Sequence, residues 1–169
     1  MKKFELTNEF IANRFGTKLF RIRALVEFGD VEAGELGGYV EKESNLGHDD
    51  NAWVYDNAWV YGNAQVSGNA RVYGNARVCG NALVCGNGDY AYAHGFGSVN
   101  RTTTFFRLKD GGVGVRCGCF YGTLAQFRDK IRETHGETKK AQEYLMLADL
   151  MELRFEEDEN EVGNRKYVE

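Results

Sequence analysis

Three histidines, four cysteines and a band of basic side chains are the residues of this chain able to ligate a metal, move a proton or hold an anion. His48 stands in a GlyHisAspAsp loop, His94 just beyond a run of valine repeats, and His135 at the end of a helical stretch. A zinc site needs three or four such ligands gathered at one point. Cys117-x-Cys119 lacks two further partners, while Cys79 and Cys85 fall on successive faces of a repeating turn, too far around it to chelate together. No metal, no cofactor and no catalytic residue is therefore assigned. The cysteines read as buried or free thiols of a reducing compartment.

Charge says more. Between residues 101 and 140 there are nine Lys and Arg against four acids, inside a chain whose net charge is −4. A basic field within an acidic protein points to an anionic partner. Arg107 and Arg116 lie on a predicted hairpin, and Tyr121 and Thr123 lead into a helix N-terminus, where free backbone amides favour phosphate. Arg71, Tyr73, Arg77 and His94, on or beside the valine repeats, complete the candidate ligand-binding set. The competing reading makes these ordinary solvated charges. No nucleic-acid signature accompanies them and the whole is acidic, so no duplex nucleic acid is expected.

The element that must position these side chains is the stretch from 50 to 87, DNAWVYDNAWVYGNAQVSGNARVYGNARVCGNALVCGN, in which A-x-V-x-G-N recurs six times with one Asp in place of Gly. Alanine and valine two apart point the same way on an extended segment. A helix cannot satisfy a period of six, because at 3.6 residues per turn the valines would smear around the cylinder. A short strand that turns at Gly-Asn can. Three such units close a triangular coil of eighteen residues, so Trp53 lies under Arg71, Trp59 under Arg77 and Tyr55 under Tyr73. The inward positions group as 40, 46, 54, then 60, 66, 72, then 78, 84, 90, with a two-residue insertion near 47–50. Trp53, Tyr55, Trp59, Tyr61 and Tyr73 take outward positions, which suggests a subunit interface or stacking platform, unless they only staple coil to coil.

Three coils leave open ends that need caps. In KLFRIRALVEF, residues 18–28, Phe20, Ile22, Ala24, Val26 and Phe28 alternate with Arg21, Arg23, Leu25 and Glu27 as one strand with a buried face. Residues 102–121 read as a hairpin turning at AspGly 110–111, with Val113, Val115, Cys117 and Cys119 on one face. Thr123 and Gln126 form a capping box, Gly136 ends that helix, and a second helix from Thr138 to Phe155 carries Ala141, Tyr144, Leu145, Ala148, Met151 and Phe155 on one stripe. An acidic run follows at 156–161. The expected divisions are 1–29 for cap strands, 30–100 for the coil, and 101–169 for the hairpin, helix pair and acidic tail.

The hexapeptide phrase, with LGGYVEKESNLGHDDNAWVYDNA before it and TTTFFRLKDGG, CGCFYGT and ETHGETKK after it, resembles the hexapeptide-repeat proteins of bacteriophage and prophage genomes. That resemblance implies a mainly β protein built on a left-handed parallel β-helix, with an N-terminal β cap and a C-terminal hairpin plus two helices. Two relatives in fold, the hexapeptide acyltransferases and the trimeric β-helix carbonic anhydrases, place their sites between subunits. The scattered histidines do not fit the second. For the first, His94 is the candidate base near the coils. The resulting expectation is a non-catalytic phage-type homotrimer that sequesters a small anionic, nucleotide-like ligand as a counter-defence sponge. The alternatives are a hexapeptide acyltransferase and a structural interaction module. No segment approaches the roughly 20 apolar residues of a membrane span, so a cytoplasmic location is expected.

Overall fold

Each Ala-x-Val phrase forms a two-residue strand followed by a corner, and the strands stack in parallel on three faces. The computed structural model describes residues 2–97 and 101–156. Strands β1 (Phe4–Ala12) and β2 (Lys18–Ala24) precede β3 (Leu36–Val40) and the repeat strands β4 (Trp53–Val54), β5 (Trp59–Val60), β6 (Gln65–Val66), β7 (Arg71–Val72), β8 (Arg77–Val78) and β9 (Leu83–Val84). β3, β5 and β8 stack on one face, β4 and β7 on the second, β6 and β9 on the third. Every repeat alanine and valine from Ala52 to Val84 is buried. Trp53 pairs with Arg71 and Trp59 with Arg77, as the eighteen-residue spacing requires. Val40 pairs with Val60 and Leu46 bridges Val66, each a step two residues longer, which is where the insertion near 47–50 is absorbed.

The corners explain the glycines. Gly62, Gly68, Gly74 and Gly80 have φ of +66°, +63°, +64° and +64°, and Asp56, the one substitution in the phrase, has φ +53°. An L-residue there costs roughly 1–2 kcal/mol. Asp56 recovers part of it, because its Oδ2 accepts the amide of Gly74 in the next coil at 3.0 Å. Glu41 and Asp50 accept the corner amides of Gly62 and Gly68 in the same way, at 2.7 and 3.2 Å.

At the N-terminal end β1 and β2 pair antiparallel and join the first face through β3. Here the expected strand over 18–28 is shorter. It stops at Ala24, and a register shift between Arg21 and Arg23 leaves Leu19 buried and Phe20 half-buried against Phe10. At the other end, Tyr90 takes the ninth inward position but opens an antiparallel strand, so the 30–100 span does not continue as coil to its end. β10 (Tyr90–Phe96), β11 (Arg101–Arg107), β12 (Val113–Cys117) and β13 (Phe120–Thr123) form a four-stranded antiparallel sheet in that order. The predicted hairpin is its middle pair. Cys119 lies in the β12–β13 turn rather than on the strand face with Val113 and Val115.

Strand alternation makes this sheet a wall between two cores. Phe106 points into the solenoid core, and its neighbour Phe105 into a second core with helices α1 (Leu124–His135) and α2 (Lys139–Phe155). Thr123 caps α1 by accepting from Gln126 N at 3.2 Å while Gln126 Oε1 accepts Thr123 N at 2.9 Å. Ala141, Tyr144, Ala148, Met151 and Phe155 form the buried stripe of α2, with Leu145 half-buried against it. The acidic run at 156–161 lies, after Glu156, outside the described residues. No helix among the described residues is long and apolar enough to cross a membrane.

One buried charge ties the N-terminus to the coil. Lys3, 3% exposed, donates from Nζ to the carbonyls of Asp50 at 2.8 Å and Ala52 at 2.6 Å, over the Phe28 ring. Burial lowers its pKa to about 8 against the attraction of Asp50 and Asp49. From pH 8 toward 10.5 the unfolded chain therefore holds more protons than the folded one, and stability rises by at most about 1.4 kcal/mol per pH unit. Three tyrosines at least partly buried act oppositely, since raised hydroxyl pKa values at Tyr55, Tyr61 and Tyr90 withdraw stability above the ordinary value of 10.0. Melts at pH 7.5 and 9.5 should show the rise in the native chain and a smaller one in Lys3→Met. Parallel pH curves for the two would contradict it.

Candidate ligand-binding site

Where the solenoid meets the antiparallel sheet, a cleft of about 390 Å³ opens between the β5–β8 face and β10–β12. That volume suits a small molecule, since ligand sites run from roughly 300 to 1,000 Å³. The join is direct: the Arg77 amide donates to Thr104 Oγ1 at 2.9 Å, and the Lys109 amide to the Asn81 carbonyl at 2.9 Å. From the solenoid come Trp59, Tyr61, Asn75 and Arg77; from the sheet come His94, Arg101, Thr102 and Arg116. Period-two alternation selects three of these sheet residues, His94, Thr102 and Arg116. His94 pairs with Thr102 and Arg116 with Thr104, so all four face the solenoid while Phe105 and Val115 face the helices.

Arg77 lies over Trp59, its Cζ 3.8 Å from the ring centroid. Its Nη1 donates to the carbonyls of Asn57 and Asn75 at 3.2 and 2.8 Å, which fixes the guanidinium plane. Burial lowers its pKa to about 10, so it stays charged at neutral pH. Tyr61 meets Trp59 edge-on at 6.3 Å. Burial raises the Tyr61 hydroxyl, with Arg116 opposing, so the phenol is a neutral hydrogen-bond donor. Beneath it burial pushes the Cys79 thiol up and keeps it protonated. His94 is held through Nδ1 by Thr102 Oγ1 at 2.7 Å. Arg101 and Arg116 make none of the ion pairs formed among the described residues. No carboxylate among the described residues lines the cleft. Three guanidiniums, an imidazole and two aromatic rings face one cavity, an arrangement suited to an anion with a planar group.

Against known proteins, the model of the YdcK beta solenoid repeat matches residues 64–80. The "Uncharacterized acetyltransferase YdcK" of Escherichia coli (strain K12) is 37% identical over 62 residues, covering 32% of this chain. This chain spans 19% of the length of that curated relative. The described residues are mainly β with two helices, and the match falls within their β-solenoid of six-residue repeats.

Of the residues singled out in the sequence, the cleft gathers Arg77, Arg116 and His94, together with Trp59 and Tyr61 from the expected interface group. The others lie elsewhere. Arg107 pairs with Asp89 at 3.1 Å and sits over the Phe155 ring. Tyr121 stacks on Phe106, and its hydroxyl occupies the space a Cβ on Gly80 would need. Thr123 and Gln126 spend their polar groups on each other. Arg71 pairs with Asp30 at 3.5 Å, and Tyr73 stacks on Tyr55 at 4.5 Å. Trp53 departs furthest from expectation: it is 0% exposed, covered by Phe4 and Phe28 of the N-terminal segment, so it is not an outward platform. Arg101 and Thr102 were missed as site residues. Alternation puts Thr102 on the face of Arg116, but it puts Arg101 on the opposite face with Phe105, so nothing local in the sequence pointed to Arg101.

Proposed function

We propose that this chain is a left-handed hexapeptide β-solenoid that binds and holds a small anion bearing an aromatic group, a nucleotide or nucleotide-like molecule, in the cleft between Trp59 and Arg116. The observation that carries the reading is the Trp59–Arg77 stack facing Arg101 and Arg116 in a cavity that no carboxylate among the described residues lines. A guanidinium held over an indole offers a base a cationic stacking surface, and the two sheet arginines supply donors for phosphate. Held without turnover, such a ligand is sequestered. The test is mass spectrometry of small molecules released by heating the purified protein, followed by calorimetry with a mononucleotide panel. Binding should weaken between 50 mM and 500 mM salt as exposed charges are screened. A panel that gives no heat at low salt ends this reading.

A second reading is favoured by the acetyltransferase relative. In it the same cleft takes the phosphorylated nucleotide of acetyl-coenzyme A. His94 removes the acceptor's proton as that acceptor attacks the thioester carbonyl, and coenzyme A leaves as the thiol with that proton. Labelled acetyl transfer lost in His94→Ala, with coenzyme A binding retained, would support it; binding with no transfer to any amine or hydroxyl acceptor supports the first reading.

A further inference from the structure

Behind the cleft, on the helix side of the sheet, lies a second cavity of about 500 Å³ between β13 and α1. Its wall is aromatic, with Phe120, Phe127 and Tyr144, and Lys130 and His135 stand on it. No carboxylate among the described residues lines it either. Arg101 belongs to both cavities. The cause is Gly118, in the turn between β12 and β13 at φ +59°, where a Cβ would run into Arg101 Nη1. The guanidinium therefore crosses the chain at the one turn position without a side chain. Gly118 lines the first cavity, and its neighbours Cys117 and Cys119 line the second. The turn is a ridge with a cation across its crest.

We infer that the two cavities are halves of one bipartite site, and that its ligand is a dinucleotide, linear or cyclic, whose linking phosphate lies at Arg101 with one nucleoside on each side of the turn. The inference rests on the nucleotide reading of the first cleft. Each half has an aromatic wall with cations and no carboxylate among the described lining residues, Lys130 lying 4.0 Å from Glu133 on the same helix, and each is large enough for one nucleoside. A mononucleotide fills one half and leaves the other to water. A dinucleotide engages both, and the second half binds at the high effective concentration set by the short link.

The experiment is calorimetry on the full chain with AMP and GMP, with the linear dinucleotides of A and G, and with the 3′,5′-cyclic ones. At least one dinucleotide should bind 100-fold or more tighter than its mononucleotide. Lys130→Glu should cut that ratio at least tenfold, and Arg101→Ala should weaken mono- and dinucleotide alike. Lys130 is an exposed helix residue with a side chain 53% exposed, so its variants should fold, and Lys130→Ala with matched melting curves provides the check. A dinucleotide no tighter than the mononucleotide, or a ratio indifferent to both Lys130 variants, overturns the bipartite site while leaving the cleft as a mononucleotide site. Absence of heat with every nucleotide overturns both.

Discussion

Asn45→Ala should destabilise the protein by about 3–5 kcal/mol, the sum expected when three backbone groups, at least partly buried, lose their partners. In the regular coils each face is closed by a pair of rungs. The amide before the inward valine donates to the alanine carbonyl of the next coil, as Trp53 does to Ala70 at 3.1 Å, and the amide after it donates to the valine carbonyl, as Tyr55 does to Val72 at 2.8 Å. On the face of Leu46 only the second rung is regular, from the Gly47 amide to the Val66 carbonyl at 2.8 Å. The residue that should make the first is Asn45, but its amide turns back to the Lys42 carbonyl in a short 3-10 turn. The Asn45 side chain, 0% exposed, makes good the loss. Its Nδ2 donates to the carbonyls of Ala64 at 2.9 Å and Gly62 at 3.2 Å, and its Oδ1 accepts the Lys42 amide at 2.9 Å. Asn45→Asp keeps the acceptor but turns a carboxylate toward two carbonyls, so it should be no milder than Ala. Urea unfolding followed by circular dichroism measures both, and a loss under 1 kcal/mol for either would show that water replaces the side chain.

That residue also marks how far the sequence could be read. The six-residue period showed which side chains face inward, because Ala and Val two apart on an extended segment have one way to share a side. It also located the longer first coil through the eight-residue gap between Leu46 and Val54. The period does not say that Asn45 replaces a rung, because one asparagine beside a loop looks like turn chemistry. Trp53 failed for a related reason. Alternation places it outside the coil, but outside the coil is not outside the protein once the β1–β2 segment folds over that face and brings Phe4 and Phe28 against the indole. The capping box at Thr123 was legible because it is local, contained within four residues. Its use as a phosphate site was not, since that depends on where the sheet docks. Arg116 and Arg77 are far apart in sequence, and nothing local brings them together. The docking of β11 on β8, with Thr104 Oγ1 accepting the Arg77 amide, does.

Arg116→Ala should weaken nucleotide binding by about 1.5–3 kcal/mol, or some 10- to 150-fold, the range for one charge-assisted hydrogen bond to phosphate, and should leave melting nearly unchanged. Arg107→Ala should do the reverse. The two arginines lie on neighbouring strands of one sheet and look equivalent in sequence, yet alternation sends them to different environments. Arg116 reaches the cleft beside Tyr61 with no ion pair among the described residues. Arg107 is spent on Asp89, with side chains 12% and 14% exposed, and the Cys85 amide donates to the other oxygen of that carboxylate at 2.9 Å. Removing a guanidinium from so enclosed a pair costs about 3 kcal/mol of stability without touching a cleft residue. Trp59→Ala should join Arg116→Ala on the binding side, at about 1–3 kcal/mol for a lost stacking surface. It also frees the Arg77 guanidinium from its support, so the double variant with Arg77→Ala should lose less than the two single losses added together. Calorimetry and melting curves on the five variants, Arg77→Ala alone included, separate the cases. Equal affinity losses for Arg107→Ala and Arg116→Ala would place the phosphate on the hairpin as a whole rather than in the cleft between solenoid and sheet.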